Sequence, residues 1–168
     1  MSPHDLVLTP MGLRFMGQTY PCTIGQGGLT SDKQEGDRAT PRGSHALTSV
    51  LYRPDRLTPP RLHSGLPLYQ ILPGDLWSDD PADPAYNSPV HAPYKYSAEN
   101  LRRSAPVYDL IITSDWNCYP AIPGHGSAIF IHQWRRPGFP TAGCIGLPRT
   151  VLHFIAGALL PGAKLVVR

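Results

Sequence analysis

The chain has 168 residues, with 20 prolines, 16 glycines, a hydrophobic fraction of 41% and a formal net charge of +3. This length fits one domain spanning residues 1–168, and so many prolines and glycines exclude a mainly helical protein. The basic residues are few and scattered, which argues against a nucleic-acid-binding protein. No apolar run approaches the roughly 20 residues that a membrane span requires. We therefore predict a mainly β protein with long proline-rich loops.

Short alternating segments predict strands in the first half of the chain, at residues 6–9, 13–15, 18–24, 45–53 and 68–72. Alternation in the segment 45–53 predicts Leu47 and Leu51 on one face, with Val50 and Tyr52 on the other. Residues 54–67 hold four prolines and predict an irregular loop.

The middle of the chain is less regular. Its four aspartates between residues 75 and 83 could suggest paired carboxylates or a calcium loop. Because Pro81 and Pro84 interrupt them and no EF-hand spacing is present, we predict capping and turn roles. Residues 97–103 predict about one helical turn, and residues 107–113 predict a buried strand.

After residue 147 the apolar period changes to that of a helix. Pro148 suits a first helical position, and an apolar stripe runs from Val151 to Leu159 before Pro161 and Gly162 end it. Residues 165–167 predict a closing strand.

Residues 126–147 place one histidine and one cysteine at the ends of a strongly patterned segment. Residues 127–132 predict a buried strand with His132 at its exit. The following loop returns to Cys144, and Gly143 before it allows a close backbone approach with exposed N–H groups. A thiol reacts as its thiolate, and a neighbouring histidine can lower its pKa. We therefore predict Cys144 as nucleophile and His132 as base.

Several segments resemble the L,D-transpeptidase catalytic domain, also called YkuD, namely residues 32–43, 77–87, 126–132 and 141–145. The resemblance implies a YkuD-like β-sandwich with one helix after the catalytic cysteine. It also implies cysteine-dependent acyl transfer on peptidoglycan stem peptides, which serve as donor and acceptor, in the periplasm or cell envelope. Hydrolysis of the same bonds, as an L,D-carboxypeptidase or endopeptidase, and a non-catalytic peptidoglycan-binding module remain alternatives.

The resemblance also implies acylation of the thiol by carbapenem-type β-lactams. Within it, residues 32–37 are interpreted as scaffold beside the site, and the N–H groups of Gly143 and Cys144 as the oxyanion hole. The widespread motif reads Ser-His-Gly-Cys followed two residues later by Arg or Asn, whereas this chain has Ala142 and Gly146 at those places. We assign substrate contacts to four residues near the nucleophile, namely Thr141, Arg135, Arg136 and Trp134.

No cofactor and no metal are expected. The potential ligands, His63, His125, His132, His153 and Cys144, lack a C-x-x-C or H-E-x-x-H spacing. Cys22 and Cys118 could pair in an oxidising compartment, which would leave Cys144 as the reactive thiol. Residues 1–5 show no signal-peptide pattern. We expect a monomer.

Overall fold

The computed structural model describes residues 2–168. Within that range it contains fourteen strands, one α-helix and a 3₁₀ turn at Pro106–Tyr108. The strands are β1 (Leu6–Thr9), β2 (Gly12–Phe15), β3 (Gln18–Tyr20), β4 (Leu29–Thr30), β5 (Thr40–Pro41), β6 (Gly43–Tyr52), β7 (Leu68–Gln70), β8 (Asp75–Ser78), β9 (Pro89–His91), β10 (Ala98–Asn100), β11 (Leu110–Ser114), β12 (Phe130–Gln133), β13 (Ile145–Leu147) and β14 (Lys164–Val167). The helix is α1 (Arg149–Ala158), directly after β13. The prediction of a mainly β fold with its helix after the cysteine is confirmed.

The main sheet curves into a nearly closed barrel. Its strands follow the order β13-β12-β11-β6-β14-β1-β2-β3, and β7 also pairs with β6. The two ends of this order meet where Thr23, just beyond β3, exchanges two backbone hydrogen bonds of 2.8 Å with Gly146 of β13. This contact pairs backbone groups that would otherwise stay exposed at a sheet edge.

The wall made by β11 and β12 is apolar on both faces. Ile112 and Ile131 belong to the core inside the barrel, which α1 also packs against. Because successive strand residues point to opposite sides, Ile111 and Phe130 face outward. There they join a second core that includes Trp77. The predicted histidine and cysteine lie on this outer face, so the second core positions the candidate site.

The outer face is covered in part by a small sheet in which β8 pairs antiparallel with both β9 and β10. One prediction is wrong here, because Ala98–Asn100 is a strand rather than a helical turn. Asp75 begins β8, and its side chain accepts the N–H of Leu72 in the preceding turn, as predicted. The turn roles of Asp80 and Asp83 are confirmed, since each side chain accepts a backbone N–H from two residues further on. Pairing with β8 holds β10 extended even though its residues are weak strand formers.

Strand β6 contains an irregularity that changes its facing pattern. Its register with β11 skips Thr48. Leu47 therefore lies in the barrel core with Tyr52, whereas Leu51 lies in the outer core. The predicted sharing of one face by Leu47 and Leu51 is wrong, because simple alternation does not anticipate a bulge.

Further element boundaries differ from prediction. The predicted strand 127–132 begins only at Phe130, because Ala128 has a left-handed φ of +50°, and the predicted strand 18–24 ends at Tyr20. The strand predicted from residue 107 begins three residues later, at Leu110, because residues 107 and 108 belong to the 3₁₀ turn and residue 109 ends it. Pro148 is the N-cap of α1 rather than its first residue. No helix in the described chain is both long and apolar enough to cross a bilayer.

Candidate active site

His132 and Cys144 lie on the same face of adjacent parallel strands. β12 and β13 pair with His132 opposite Gly146. Continuing that register one step before β13 sets Cys144 opposite Phe130, two residues from His132 along the same face. Side chains in such diagonal positions are near neighbours. Both line one pocket with a volume of about 370 Å³.

The imidazole of His132 has a defined tautomer. Its Nδ1 lies 2.8 Å from the backbone carbonyl of Gln133. Because a carbonyl only accepts, Nδ1 carries the proton and Nε2 keeps a free lone pair. The ring of Tyr108 packs edge-on against the imidazole, with 5.0 Å between the two ring centroids. Burial lowers the pKa of His132 to about 4, so the ring is neutral at pH 7 and can accept a proton at Nε2.

The thiol of Cys144 is buried and held by backbone groups. Its Sγ donates to the carbonyl of Ala128 at 3.0 Å and accepts from the N–H of Phe130 at 3.4 Å. Burial, helped by the negative charge of Glu99, raises the pKa of Cys144 to about 12. The expectation that His132 lowers this pKa is therefore not met in the resting state. At pH 7 the pair is therefore a neutral thiol and a neutral imidazole, so any reaction through the sulfur requires the thiol proton to move.

The loop before Cys144 is fixed by a threonine from the early segment. Thr40 Oγ1 donates to the carbonyl of Gly143 at 2.7 Å and accepts from the N–H of Gly25 at 2.9 Å. Since a trans peptide is planar with its C=O and N–H opposed, the N–H of Cys144 points away from Thr40. Gly143 has φ +137°, and a Cβ there would lie 2.9 Å from the carbonyl oxygen of Ala39. Only glycine fits this position.

Thr141 also stabilises this loop. Its Oγ1 donates to the carbonyl of Cys144 at 2.5 Å and accepts from the N–H of Gly143 at 3.2 Å. Of the two N–H groups predicted as oxyanion donors, that of Gly143 is thus already engaged within the loop. The hydroxyl of Thr141 likewise makes its hydrogen bonds to the protein, although the residue lines the pocket.

The pocket wall carries charges of both signs, from Glu35, Arg38, Asp79, Glu99, Arg103 and Arg135. Of the residues predicted to contact substrate, Thr141 and Arg135 line this pocket, whereas Arg136 and Trp134 do not. The guanidiniums of Arg135 and Arg136 lie 5.3 and 5.0 Å from the ring centroid of Phe139.

Sequence reasoning missed the roles of Glu35 and Arg38 in this wall. Glu35 belongs to residues 32–37, which were interpreted as scaffold, and Arg38 follows directly. Part of that segment is scaffold, since Lys33 and Asp37 form a 2.5 Å ion pair. Glu35 is fixed by the hydroxyl of Tyr86 at 2.5 Å, which joins the early and middle segments beside the pocket. The resemblance of the two segments was the signal that could have placed them together.

A cluster behind His132 was also missed. Glu99 accepts from the hydroxyl of Tyr108 at 2.9 Å and pairs with Arg103, whose guanidinium lies 4.5 Å from the centroid of the Tyr108 ring. Burial raises the pKa of Glu99. Because residues 97–103 had been interpreted as helical, Glu99 and Arg103 were not expected to reach the pocket.

A larger cavity of about 750 Å³ lies beyond the pocket, between β6 and the outer sheet. It is lined by Cys118 but, among the described residues, by no histidine, and burial raises the pKa of that thiol. Cys22, Cys118 and Cys144 are all free, so the alternative of a Cys22–Cys118 pair is not formed. Across residues 2–168, the potential metal ligands form no group of three. Of these two cavities, the smaller is therefore the one that both a thiol and an imidazole line.

The family model of the L,D-transpeptidase catalytic domain, YkuD, matches residues 15–167. This match includes both His132 and Cys144 and the early and middle segments that surround the pocket. No curated protein and no solved structure matches the chain.

Proposed function

Because the chain belongs to the L,D-transpeptidase catalytic domain family, whose members act on peptidoglycan, we propose that it transfers acyl groups between peptidoglycan stem peptides through Cys144. One observation carries this proposal. Cys144 Sγ and the His132 imidazole line the same pocket, and the Gln133 carbonyl fixes the tautomer that leaves Nε2 free to take the thiol proton.

The reaction begins when Cys144 Sγ attacks the carbonyl carbon of an L-centred residue of the donor, whose amide bond leads to a D-residue. The S–C bond forms as the thiol proton passes to Nε2 of His132, and the negative charge collects on the carbonyl oxygen. The N–H of Cys144, oriented through Thr40 and Gly143, donates to that oxygen. The C–N bond then breaks, and His132 returns the proton to the departing amine.

The second half of the reaction releases the enzyme. An acceptor amine attacks the thioester carbonyl, the S–C bond breaks, and the amine proton passes through His132 to the thiolate. If water takes the place of the amine, the same site acts as an L,D-carboxypeptidase or endopeptidase. The two outcomes differ in the nucleophile that enters the pocket and not in the residues that act.

The charges of the pocket wall support a stem-peptide substrate. A stem peptide carries carboxylates and free amino groups close together. Arg38, Arg103 and Arg135 supply cations for the former, and the carboxylates in the same wall supply partners for the latter. We place the enzyme in the periplasm or cell envelope because its substrate is there, and fractionation of expressing cells tests this location.

The choice of donor bond is the finer part of the proposal. Ala142 presents only a methyl group to the pocket, and Gly146 has no side chain. The chain therefore lacks two polar contacts beside the nucleophile, and a site with fewer such groups selects its substrate differently. We propose an unusual donor choice, at the first L-centre of the stem peptide, with Arg135 among the contacts.

Incubation with purified tetrapeptide muropeptides, followed by mass spectrometry, tests the proposed function. Cross-linked dimer is expected from the wild type and from Cys118→Ala, but not from Cys144→Ala. Trimmed monomer alone would instead support the hydrolase, and bound but unchanged muropeptide would support the non-catalytic module.

A further inference from the structure

Asn87 connects the outer layer to the nucleophile. Its Oδ1 accepts from Trp77 Nε1 at 2.9 Å and from the N–H of Ala128 at 3.0 Å. Its Nδ2 donates to the carbonyls of Trp116 and Asn117, both at 2.9 Å. The residue is 5% exposed. Because both ends of the amide are engaged, its orientation is fixed.

Ala128 connects this hydrogen-bond network to the thiol of Cys144. Its φ is +50°, a sparsely populated conformation for a residue with a Cβ. Its N–H is held by Asn87, and its carbonyl accepts from Cys144 Sγ at 3.0 Å. Strained backbone of this kind persists only where the surroundings hold it. Asn87 stabilises this conformation, because its side chain accepts a buried hydrogen bond from the N–H of Ala128.

We propose that Asn87 is a positioning residue, which keeps Ala128 in its strained conformation so that the Ala128 carbonyl orients the Cys144 thiol in the pocket. The effect on turnover rests on the proposed function, whereas the effect on the thiol itself does not. Asn87 touches neither Cys144 Sγ nor the smaller pocket, and its hydrogen bond to the backbone of Ala128 connects it to the thiol; its Nδ2 also lies 3.6 Å from Cys118 Sγ.

The chain offers a matched pair of variants. Asn87→Leu is nearly isosteric and removes the hydrogen bond to Ala128, but it also places a leucine at a φ of +57°. Asn87→Gly, which removes the amide and adopts this φ without strain, is therefore measured beside it. Trp77→Phe removes another hydrogen bond of the same Asn87 and perturbs the outer core, but it leaves the Asn87–Ala128 bond in place. All three variants keep the charged and titratable groups that act on the thiol, namely Glu99, Arg103, Lys33, Tyr108 and His132.

The first readout is alkylation by iodoacetamide at pH 8, mapped by mass spectrometry to Cys144 and to Cys22. Cys22 is partly buried against the barrel core, away from the outer core that holds Cys144, and serves as the internal reference thiol. In Asn87→Leu the rate at Cys144 relative to Cys22 is expected to rise about threefold or more, because the thiol loses its fixed acceptor. In Trp77→Phe this ratio stays near that of the wild type.

The second readout is turnover. Asn87→Leu is expected to lower kcat about tenfold, the loss that corresponds to one neutral hydrogen bond, with little change in KM. An unchanged alkylation ratio in Asn87→Leu, or an equal change in Trp77→Phe, would overturn the proposal. A changed ratio without turnover in the wild type would instead overturn the proposed function alone. If Asn87→Leu does not fold, Asn87→Gly, which also removes the whole amide, gives the same comparison.

Discussion

Thr40 and Gly143 are joined by a buried 2.7 Å hydrogen bond across 103 positions of the sequence. The bond fixes the peptide unit that carries the N–H of Cys144. The early segment therefore contributes to the orientation of the proposed oxyanion donor without touching the substrate.

Thr40→Val should test this contribution. Valine keeps the shape but leaves the carbonyl of Gly143 and the N–H of Gly25 buried without partners, which costs about 1–3 kcal/mol of stability. We expect kcat to fall about tenfold or more, because the N–H of Cys144 is no longer held in one direction. Thr40→Ser keeps the hydroxyl and should behave like the wild type. Equal kcat values in the wild type, Thr40→Val and Thr40→Ser would show that Thr40 does not orient the proposed oxyanion donor.

Cys144→Ala should lower turnover by on the order of 10⁴-fold or more, because it removes the sulfur that forms the acyl intermediate. The fold should remain, since a small apolar side chain replaces a buried one. Cross-linked product measured by mass spectrometry gives the rate, and Cys22→Ala and Cys118→Ala are the controls. Product formation at the wild-type rate by Cys144→Ala would refute the mechanism.

Acid should destabilise the protein through His132. Its pKa is lowered from 6.5 to about 4, so the unfolded chain binds the proton first as the pH falls. Neutral, buried His132 therefore contributes fully to the free energy of unfolding above pH 6.5, and this contribution is lost by about pH 4. The loss amounts to roughly 3 kcal/mol. Urea unfolding at pH 7 and pH 4 should show this loss in the wild type beyond that in His132→Gln.

His45 and His153, whose pKa values are also lowered, contribute alike to both proteins and cancel in this comparison. An identical acid dependence in the wild type and His132→Gln would mean that His132 is not the buried neutral group described here.

A carbapenem should acylate the protein once, on the peptide that contains Cys144. Because the pKa values of Cys144 and His132 are about 12 and about 4, the pair stays as thiol and neutral imidazole between pH 7 and 10, so a reaction in which His132 takes the thiol proton should change little in rate across this range. Intact-mass kinetics across this range, with Cys118→Ala as control, measure both features. A rate that rises about tenfold per pH unit would show instead that only a preformed thiolate reacts and that His132 does not act as the base.

The donor bond can be identified directly by tandem mass spectrometry of the cross-linked product. We expect linkage through the first L-centre, and we expect Arg135→Ala to raise KM for the donor more than it lowers kcat. Efficient formation of an ordinary 3–3 dimer from tetrapeptide donors would contradict the proposed choice.

Strands and helices could be predicted from the sequence where a clear apolar period determines the local structure. Residues 110–113 and the stripe of α1 follow their apolar periods, and the early, middle and catalytic segments meet at the pocket. That His132 and Cys144 act together remains a prediction that the geometry makes testable.

What the sequence could not predict depends on pairing between distant segments. Ala98–Asn100 is a strand because β8 lies beside it, and its own residues favour other conformations. Likewise, Glu99 reaches the pocket only after β10 is in place, and the extra residue Thr48 becomes visible only in its register with β11. Such tertiary effects leave no local signal.

The contact between Thr23 and Gly146 that closes the barrel also limits how this protein can be redesigned. A Cβ at position 146 would lie 2.5 Å from Thr23 Oγ1 and 3.1 Å from Trp134 Cβ. Grafting the widespread motif by Gly146→Arg or Gly146→Asn therefore requires the Thr23 side chain to move and Trp134 to shift slightly. An engineer would first replace Thr23 with a smaller residue, because its hydroxyl and the missing side chain compete for one space at the closure of the barrel.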